Sequence, residues 1–334
     1  MKEILPDIFQ INLTLSGFSP NFVNIYLFRT KNGFLSIDTG WDSPPALKSL
    51  QDQLAEIGAT LSDIKQIIIT HGHIDHLGMT LRFRNLNNPR TYIHEKELEL
   101  IKIRFSGGDN FLPMTDTFLK KHGFPGSELT PPEFQLPIPD DISSIKPDVL
   151  LKGGEKISAG QYTLEVIHTP GHTPGHIVLY EPLKKFIISG DMLLPTIATN
   201  AAFHVQHIQN PLLKYINSLL ELQKLDINLV FPGHEDIYLD PHQRINDLLL
   251  DSKNKSNEIL QAFVDNELKT AYEVSRILSW SPKNNQSNWN YLTGWDKRFA
   301  VLQSIAHLEA LTYANKLARF PKNGKIYYRL YHQL

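Results

Sequence analysis

Residues 69–77 read Ile69-Thr70-His71-Gly72-His73-Ile74-Asp75-His76-Leu77, placing three histidines and an aspartate within six positions directly behind an apolar run. The run predicts a buried strand over residues 67–70. In the extended backbone that leaves it, His71 and His73 point the same way, because strand side chains alternate with period two. Asp75 and His76 lead into a helix expected at Leu77 and face a second point nearby. Neutral imidazole nitrogens combined with a hard carboxylate oxygen suit zinc, iron or manganese rather than calcium. One loop can therefore serve two metal ions.

Three later stretches repeat the style of strand, glycine and ligand. His172 stands in His168-Thr169-Pro170-Gly171-His172-Thr173-Pro174-Gly175-His176, Asp191 in Ser189-Gly190-Asp191, and His234 in Phe231-Pro232-Gly233-His234. Glycine ahead of each ligand lets the backbone bend close to a crowded site. Upstream, Asp38 in Ile37-Asp38-Thr39-Gly40 closes another short strand. With seven candidate ligands already filling two sites, His168 is read as a strand-end residue and His176 as a buttress from behind.

Around these motifs the chain alternates strands and helices. Strands are expected at 8–15, 22–28, 34–38, 162–167, 177–180, 186–189 and 229–231. A helix capped by Ser43, with Pro44 first, carries Leu47, Leu50, Leu54 and Ile57 and ends at Gly58; another follows Pro211. This is an α/β pattern with helices over both faces of mixed sheets. Between 106 and 148 the pattern breaks, and seven of the 21 prolines fall there. Such a segment reads as a lid or surface insertion, with Phe111, Phe118, Phe124 and Phe134 as its apolar material. From about Asp251 the character changes again: a capping box at Thr270–Glu273, a stripe of Val301, Ile305, Leu308 and Leu311, and a hairpin turn at Asn323-Gly324 suggest a small winged-helix-like domain. The expected domains are thus 1–250 for the metal site, with 106–148 inserted, and 251–334 for the tail.

The 334 residues carry 33 basic and 35 acidic side chains, a formal charge of −2, so no global field gathers nucleic acid or anionic lipid. The tail differs: from Asp251 onward 12 basic residues face 7 acidic ones, leaving −7 on the first 250 residues. The absence of cysteine removes disulfides, Fe–S clusters and thiol nucleophiles. The first residues, with Glu3, Pro6 and Asp7, do not read as a signal peptide, and no apolar stretch of about 18 residues occurs. A soluble, cytoplasmic protein is the expectation.

The ordered set HGHIDH, GH at 172, GD at 191 and GH at 234 resembles the metallo-β-lactamase superfamily over about residues 5 to 250. The resemblance implies a four-layer αββα sandwich. It implies that His71, His73 and His172 hold one divalent ion, that Asp75, His76 and His234 hold a second, and that Asp191 bridges them. The ions would be zinc, with iron or manganese as alternatives. Asp38 would orient a ligand histidine from behind. The β-lactamases of the best-known zinc branch have a cysteine where Asp191 stands, flavo-diiron reductases a carboxylate where His73 stands, and acyl-homoserine lactonases a tyrosine where Leu194 stands. The ligand pattern looks most like glyoxalase II, while the tail is similar to that of β-lactamase-like protein 2, an endoribonuclease.

The function implied is metal-dependent hydrolysis of a small ester, thioester or lactone by a hydroxide held on the two ions, with Asp75 and Asp191 as the catalytic carboxylates. Substrate contacts are expected from Phe111, His204 and His207. The alternatives are a nuclease or phosphodiesterase guided by the basic tail, and a metal-containing binding protein without turnover. The expected partner is a small acyl molecule, with nucleic acid second, no membrane, and a homodimer as the assembly. Trp280, Trp289, Tyr291 and Trp295 are read as packing residues of the tail rather than as base-stacking platforms.

Overall fold

The computed structural model describes residues 1–15, 21–105, 111–129, 141–199, 201, 210–264, 267–280 and 289–331, with the side chains of 111 and 112 outside that set. Seven strands form the first sheet in chain order: β1 (Lys2–Leu5), β2 (Ile8–Thr14), β3 (Phe22–Thr30), β4 (Gly33–Ile37), β5 (Ile64–Ile68), β6 (Arg90–His94) and β7 (Val149–Leu151). The first four pair antiparallel; from β4 onward the pairing is parallel. Parallel neighbours need crossovers, which α1 (Pro44–Ala55), α2 (Ile74–Leu77), α3 (Thr80–Asn87) and α4 (Glu95–Phe105) supply. Ser43 caps α1 by accepting from the Ala46 backbone N–H, and Ala46, Leu50 and Leu54 form its buried stripe. Helix α1 closes at Ala55, three residues before the expected Gly58.

The second sheet runs β8 (Lys156–Ala159), β9 (Tyr162–His168), β10 (Ile177–Glu181), β11 (Phe186–Gly190), β12 (Leu229–Pro232) and β13 (Tyr238–Leu239), antiparallel except for β11 against β12. One apolar core joins the two sheets. Tyr26 stacks on Phe231 at 5.4 Å, Phe28 meets Tyr162 edge-on at 5.9 Å, and Ile8, Leu35, Ile68, Leu164, Leu179 and Ile188 fill the same layer. Helices outside the paired sheets complete the expected αββα sandwich. The strand ends carrying Asp38, His71, Asp191 and His234 follow β4, β5, β11 and β12 in the two sheets.

The chain divides into two compact units. The larger holds Met1–Ser106, Pro137–Thr199 and Ser218–Ile245; the smaller holds Gly107–Leu136, Asn200–Asn217 and Asn246–Leu334. This departs from the expected boundary at residue 250, because much of the proline-rich segment groups with the tail. Helix α5 (Phe111–Lys121) shows the reason. Leu119 at its end and Phe124 beyond it are buried with Ile259, Phe263, Trp280, Trp289, Val301, Ile305 and Tyr328 in the small unit's core, with Phe118 packed against it. Phe118 and Phe124 are therefore core residues, not covering material. The small unit also contains α8 (Ala271–Ser275), opened by the Thr270–Glu273 capping box, the long α9 (Gly294–Tyr313), and a hairpin of β14 (Leu317–Lys322) and β15 (Lys325–Leu330). Helices α6 (Pro211–Leu222) and α7 (Pro241–Gln261) cross the division. Among the described residues, no helix is long and apolar enough to cross a membrane.

Candidate metal centre

Helix α2 begins at Ile74, earlier than the sequence suggested, so Asp75 and His76 lie inside it and His73 occupies its N-cap position. Its last turn is tied to the strand end beside it: the His76 carbonyl accepts from the Thr39 N–H at 2.7 Å and from its hydroxyl at 3.0 Å. His71 and His73 converge as period-two alternation predicts, with ring centroids 4.7 Å apart.

The seven expected ligands form two groups. The potential ligand atoms of His71, His73, His172 and Asp191 lie within 4.8 Å of one another, as do those of Asp75, His76 and His234. In the first group His73 Nδ1 lies 3.0 Å from both His71 Nε2 and His172 Nε2, and Asp191 Oδ2 lies 3.7 and 3.5 Å from the same two nitrogens. In the second, His234 Nε2 lies 3.2 Å from Asp75 Oδ2 and 3.4 Å from His76 Nε2. Asp191 turns its other oxygen, Oδ1, to this group, 3.4 Å from His76 and 3.6 Å from His234. Ligand atoms around a tetrahedral ion at about 2.0–2.1 Å stand roughly 3.3 Å apart. The observed separations straddle that value, so the donor sets fit a divalent ion. Asp191 Oδ1 is also buried without a hydrogen-bond partner among the described residues, which is costly unless something cationic is bound there.

The orientation of the rings is fixed from behind. The buried Asp38, at φ +63°, accepts on Oδ2 from His76 Nδ1 at 2.8 Å and from the Thr70 hydroxyl at 2.7 Å, and on Oδ1 from the Thr70 N–H at 2.8 Å. With its proton committed to Asp38, the Thr70 oxygen accepts from His71 Nδ1 at 3.1 Å. One carboxylate thus orients a histidine in each group and leaves both Nε2 atoms facing the centre. His234 Nδ1 donates to the Phe22 carbonyl at 2.8 Å. His176, expected as a buttress, bonds the Thr169 hydroxyl through Nδ1 at 2.9 Å and accepts from the Asp191 N–H on Nε2 at 3.2 Å. Gly190, at φ +48°, is required there, since a Cβ would stand 2.8 Å from His176 Nε2. His168 ends β9 and stacks on His94 at 4.2 Å, outside both groups.

Charge is arranged accordingly. Burial opposes a proton on His76, but the carboxylates of Asp191, Asp75 and Asp38 outweigh it and hold that imidazole well above its ordinary range. Burial likewise opposes ionisation of Asp191, yet His234 and His76 keep its carboxyl well below the usual value. His71 is pushed down by burial and by its histidine neighbours. The cluster is electrostatically built around cations, whether protons or metal.

Phe111 opens α5, but its side chain lies outside the described residues, as do His204 and His207 altogether; the expected substrate contacts are not placed by the structure. Arg298, one of the tail's 12 basic residues, is buried and bonds Asp116 at 3.1 Å and the Gly294 carbonyl at 3.3 Å. Two supports escaped the sequence reading. Glu235, directly after His234, accepts from the Thr196 and Ile197 N–H groups, and Arg244 donates to the Leu194 and Ile197 carbonyls, so the segment after Asp191 is pinned from two sides. Glu97 on α4 is fully buried behind the first group, and burial raises its carboxyl to about 7 against the N–H and hydroxyl donors around it.

An αββα sandwich whose strand ends gather histidines and aspartates in this way is the architecture of a metallo-hydrolase. Residues 19–234 match the metallo-beta-lactamase superfamily, and the chain belongs to it. It is 27% identical over 282 residues to the probable metallo-hydrolase YqjP of Bacillus subtilis (strain 168), covering 78% of this chain and 82% of that protein. It is 30% identical over 184 residues to the acyl-coenzyme A thioesterase MBLAC2 of Homo sapiens, a match spanning 52% of this chain and 60% of that protein. Among solved structures, a metallo-beta-lactamase family protein from Thermus thermophilus shares the fold with a TM-score of 0.80 at 24% identity, covering 98% of this chain and 100% of that one.

Proposed function

We propose that the chain is a binuclear hydrolase of small acyl substrates, with thioesters foremost. The observation that carries the two-ion reading is Asp191, whose Oδ2 faces His71 and His172 while Oδ1 faces His76 and His234. His71, His73 and His172 would hold one ion and Asp75, His76 and His234 the other, with Asp191 shared; zinc fits this donor set, as do iron and manganese. Bound there, two divalent ions lower the pKa of water and offset negative charge developing on a carbonyl oxygen.

The chain's own residues do the rest. Hydrolysis of a thioester joins the oxygen of water to the acyl carbon, breaks the carbon–sulfur bond, delivers one proton of the water to the departing thiolate and releases the other to solvent as the product acid ionises. Asp75 is the carboxylate placed to carry the proton bound for the thiolate. Its side chain is 24% exposed, against 11% for Asp191 and 3% for Asp38, so of the three it borders solvent most openly. No serine or cysteine nucleophile is required. The thioester preference is supported by the similarity to MBLAC2, and the nuclease reading by the basic tail and by a 25% identical relative, the beta-lactamase-like protein 2 homolog of Drosophila melanogaster, matched over 80% of this chain.

A screen of the metal-loaded protein on acyl-coenzyme A thioesters, lactones, phosphodiesters and single-stranded RNA tests the reading. Turnover of a thioester, ester or lactone with little salt dependence is expected. RNA as the best substrate, with a rate falling steeply in salt, overturns it in favour of the nuclease. A fully metallated protein that turns over nothing overturns both.

A further inference from the structure

Outside the seven ligands, one buried acid touches two of the loops that carry them. Glu97 sits in the first turn of α4, in the stretch Glu95-Lys96-Glu97-Leu98-Glu99, and has no exposed surface. Its Oε1 accepts from the Gly72 N–H at 2.7 Å, between His71 and His73. Its Oε2 accepts from the Thr173 hydroxyl at 2.9 Å and the Gly175 N–H at 2.7 Å, directly after His172. The loops joined in this way lie 76 to 78 residues from Glu97 on one side and 25 on the other. All three ligand histidines of the first group lie on them. Each of the three bonds that Glu97 makes here falls on the first group's side of the centre.

The glycines give an independent sign that both loops are packed tightly against α4 at Glu97. A Cβ on Gly72 would stand 2.9 Å from Glu97 Oε1, and one on Gly175 only 2.4 Å from the Glu97 backbone nitrogen and 2.9 Å from Oε2. Neither glycine has the positive φ that would otherwise call for one. They are small because α4 comes close, through Glu97 at both and also through Ile101 Cγ1, 2.9 Å away, at Gly72. A buried carboxylate that loses such donors, or donors that lose it, is left unpaired in a low-dielectric setting.

We propose that Glu97 is a positioning residue that sets the spacing of the two loops and so selectively determines the affinity of the first ion, the one held by His71, His73 and His172. The inference rests on the two-ion reading above. It contrasts with Asp38, which reaches a histidine in each group and should act on both. Replacement by glutamine keeps the shape but puts an N–H₂ donor against the loop donors, so at least one of the three bonds must fail.

The experiment is zinc titration against a chromophoric chelator, on the full chain, for the wild type, Glu97→Gln and Thr173→Val, with the melting temperature of each metal-free protein measured alongside. The wild type should hold two ions. Glu97→Gln should bind one of them 10- to 100-fold more weakly, the range for partners just outside a metal's ligands, and leave the other within about threefold. Thr173→Val, which removes one bond and keeps the carboxylate, should weaken the same ion several-fold. It also carries the test if Glu97→Gln does not fold. Metal-free melting within a few degrees of wild type separates loop positioning from general loss of structure. Wild-type affinity at both sites in the variants, or equal loss at both, overturns the role of Glu97 alone. A wild-type chain that holds no ion at the first group overturns the two-ion reading, and this proposal with it.

Discussion

In the large unit His76 is 0% and His234 5% exposed; in the small unit His122 is 1% and His307 2% exposed. Burial is equal, but the outcome is opposite. Burial opposes a proton on His76 and His234, yet both are held above the ordinary imidazole range because Asp191 and Asp75 surround them. His122 is pushed down to about 3 by burial, with Arg319 and Lys121 adding to it, and His307 to about 4 by burial with help from Lys255. The first pair is arranged to share cations; the second is neutral packing material, with His307 Nδ1 satisfied by Ser256 at 2.9 Å and His122 stacked near Tyr328. Burying a histidine is thus no sign of a site by itself. Carboxylates aimed at its open nitrogen are.

The comparison can be broken most severely at Asp191. Asp191→Ala removes the carboxylate that faces both groups and should abolish binding of both ions and lower hydrolysis by about 1,000-fold or more, read by elemental analysis and turnover. A variant that keeps both ions contradicts its shared role. Next in size is Asp38→Asn, which puts an N–H₂ donor in place of one carboxylate oxygen, so that either the Thr70 N–H or the pair of His76 Nδ1 and the Thr70 hydroxyl loses its acceptor, and should weaken both ions 10- to 100-fold, in contrast to the one-sided effect expected at Glu97.

Acid probes the other side of the comparison. A histidine depressed in the folded state binds its proton more readily when unfolded, near 6.5. The stabilisation from His122 and His307 is therefore complete above pH 6.5 and is lost as pH falls towards 3–4, by up to about 2 kcal/mol each at pH 5. Urea unfolding followed by fluorescence reads it, since three of the four tryptophans, at 280, 289 and 295, lie in the small unit. His122→Leu should flatten part of the slope between pH 6.5 and 5; an unchanged slope contradicts its neutral burial. The smallest effect is expected from Lys322→Glu with Lys325→Glu at the exposed turn of the hairpin, which should leave thioester turnover unchanged. If that pair abolishes the best activity found, the small-substrate reading fails.

Much of this was legible in the sequence because the site is written in local signals. Ligands at strand ends preceded by glycine, and a two-residue alternation between His71 and His73, need only a few neighbours to be read. Asp38 was reached through the family resemblance, since by its local sequence alone it reads as a turn aspartate closing β4. Glu97 was not legible: in Glu95-Lys96-Glu97-Leu98-Glu99 it reads as a solvated helix face, and nothing local in Gly72 or Gly175 tells that it is this helix that approaches them. The grouping of residues 107–136 with the tail was equally hidden, because Leu119 and Phe124 find partners more than 130 residues away in the chain, at Ile259 and beyond. Proline content gave no sign of helix α5 within that segment, nor of where its apolar side chains go.

The central claim is that Asp191 stands between two ion sites, and diffraction from zinc-loaded crystals at the metal's absorption edge tests it most directly. Two anomalous peaks per chain are expected, one among His71 Nε2, His73 Nδ1 and His172 Nε2 and one among Asp75 Oδ2, His76 Nε2 and His234 Nε2, with the Asp191 carboxylate reaching both. A single peak at full zinc saturation, or a pair of peaks with Asp191 bound to only one, would contradict it.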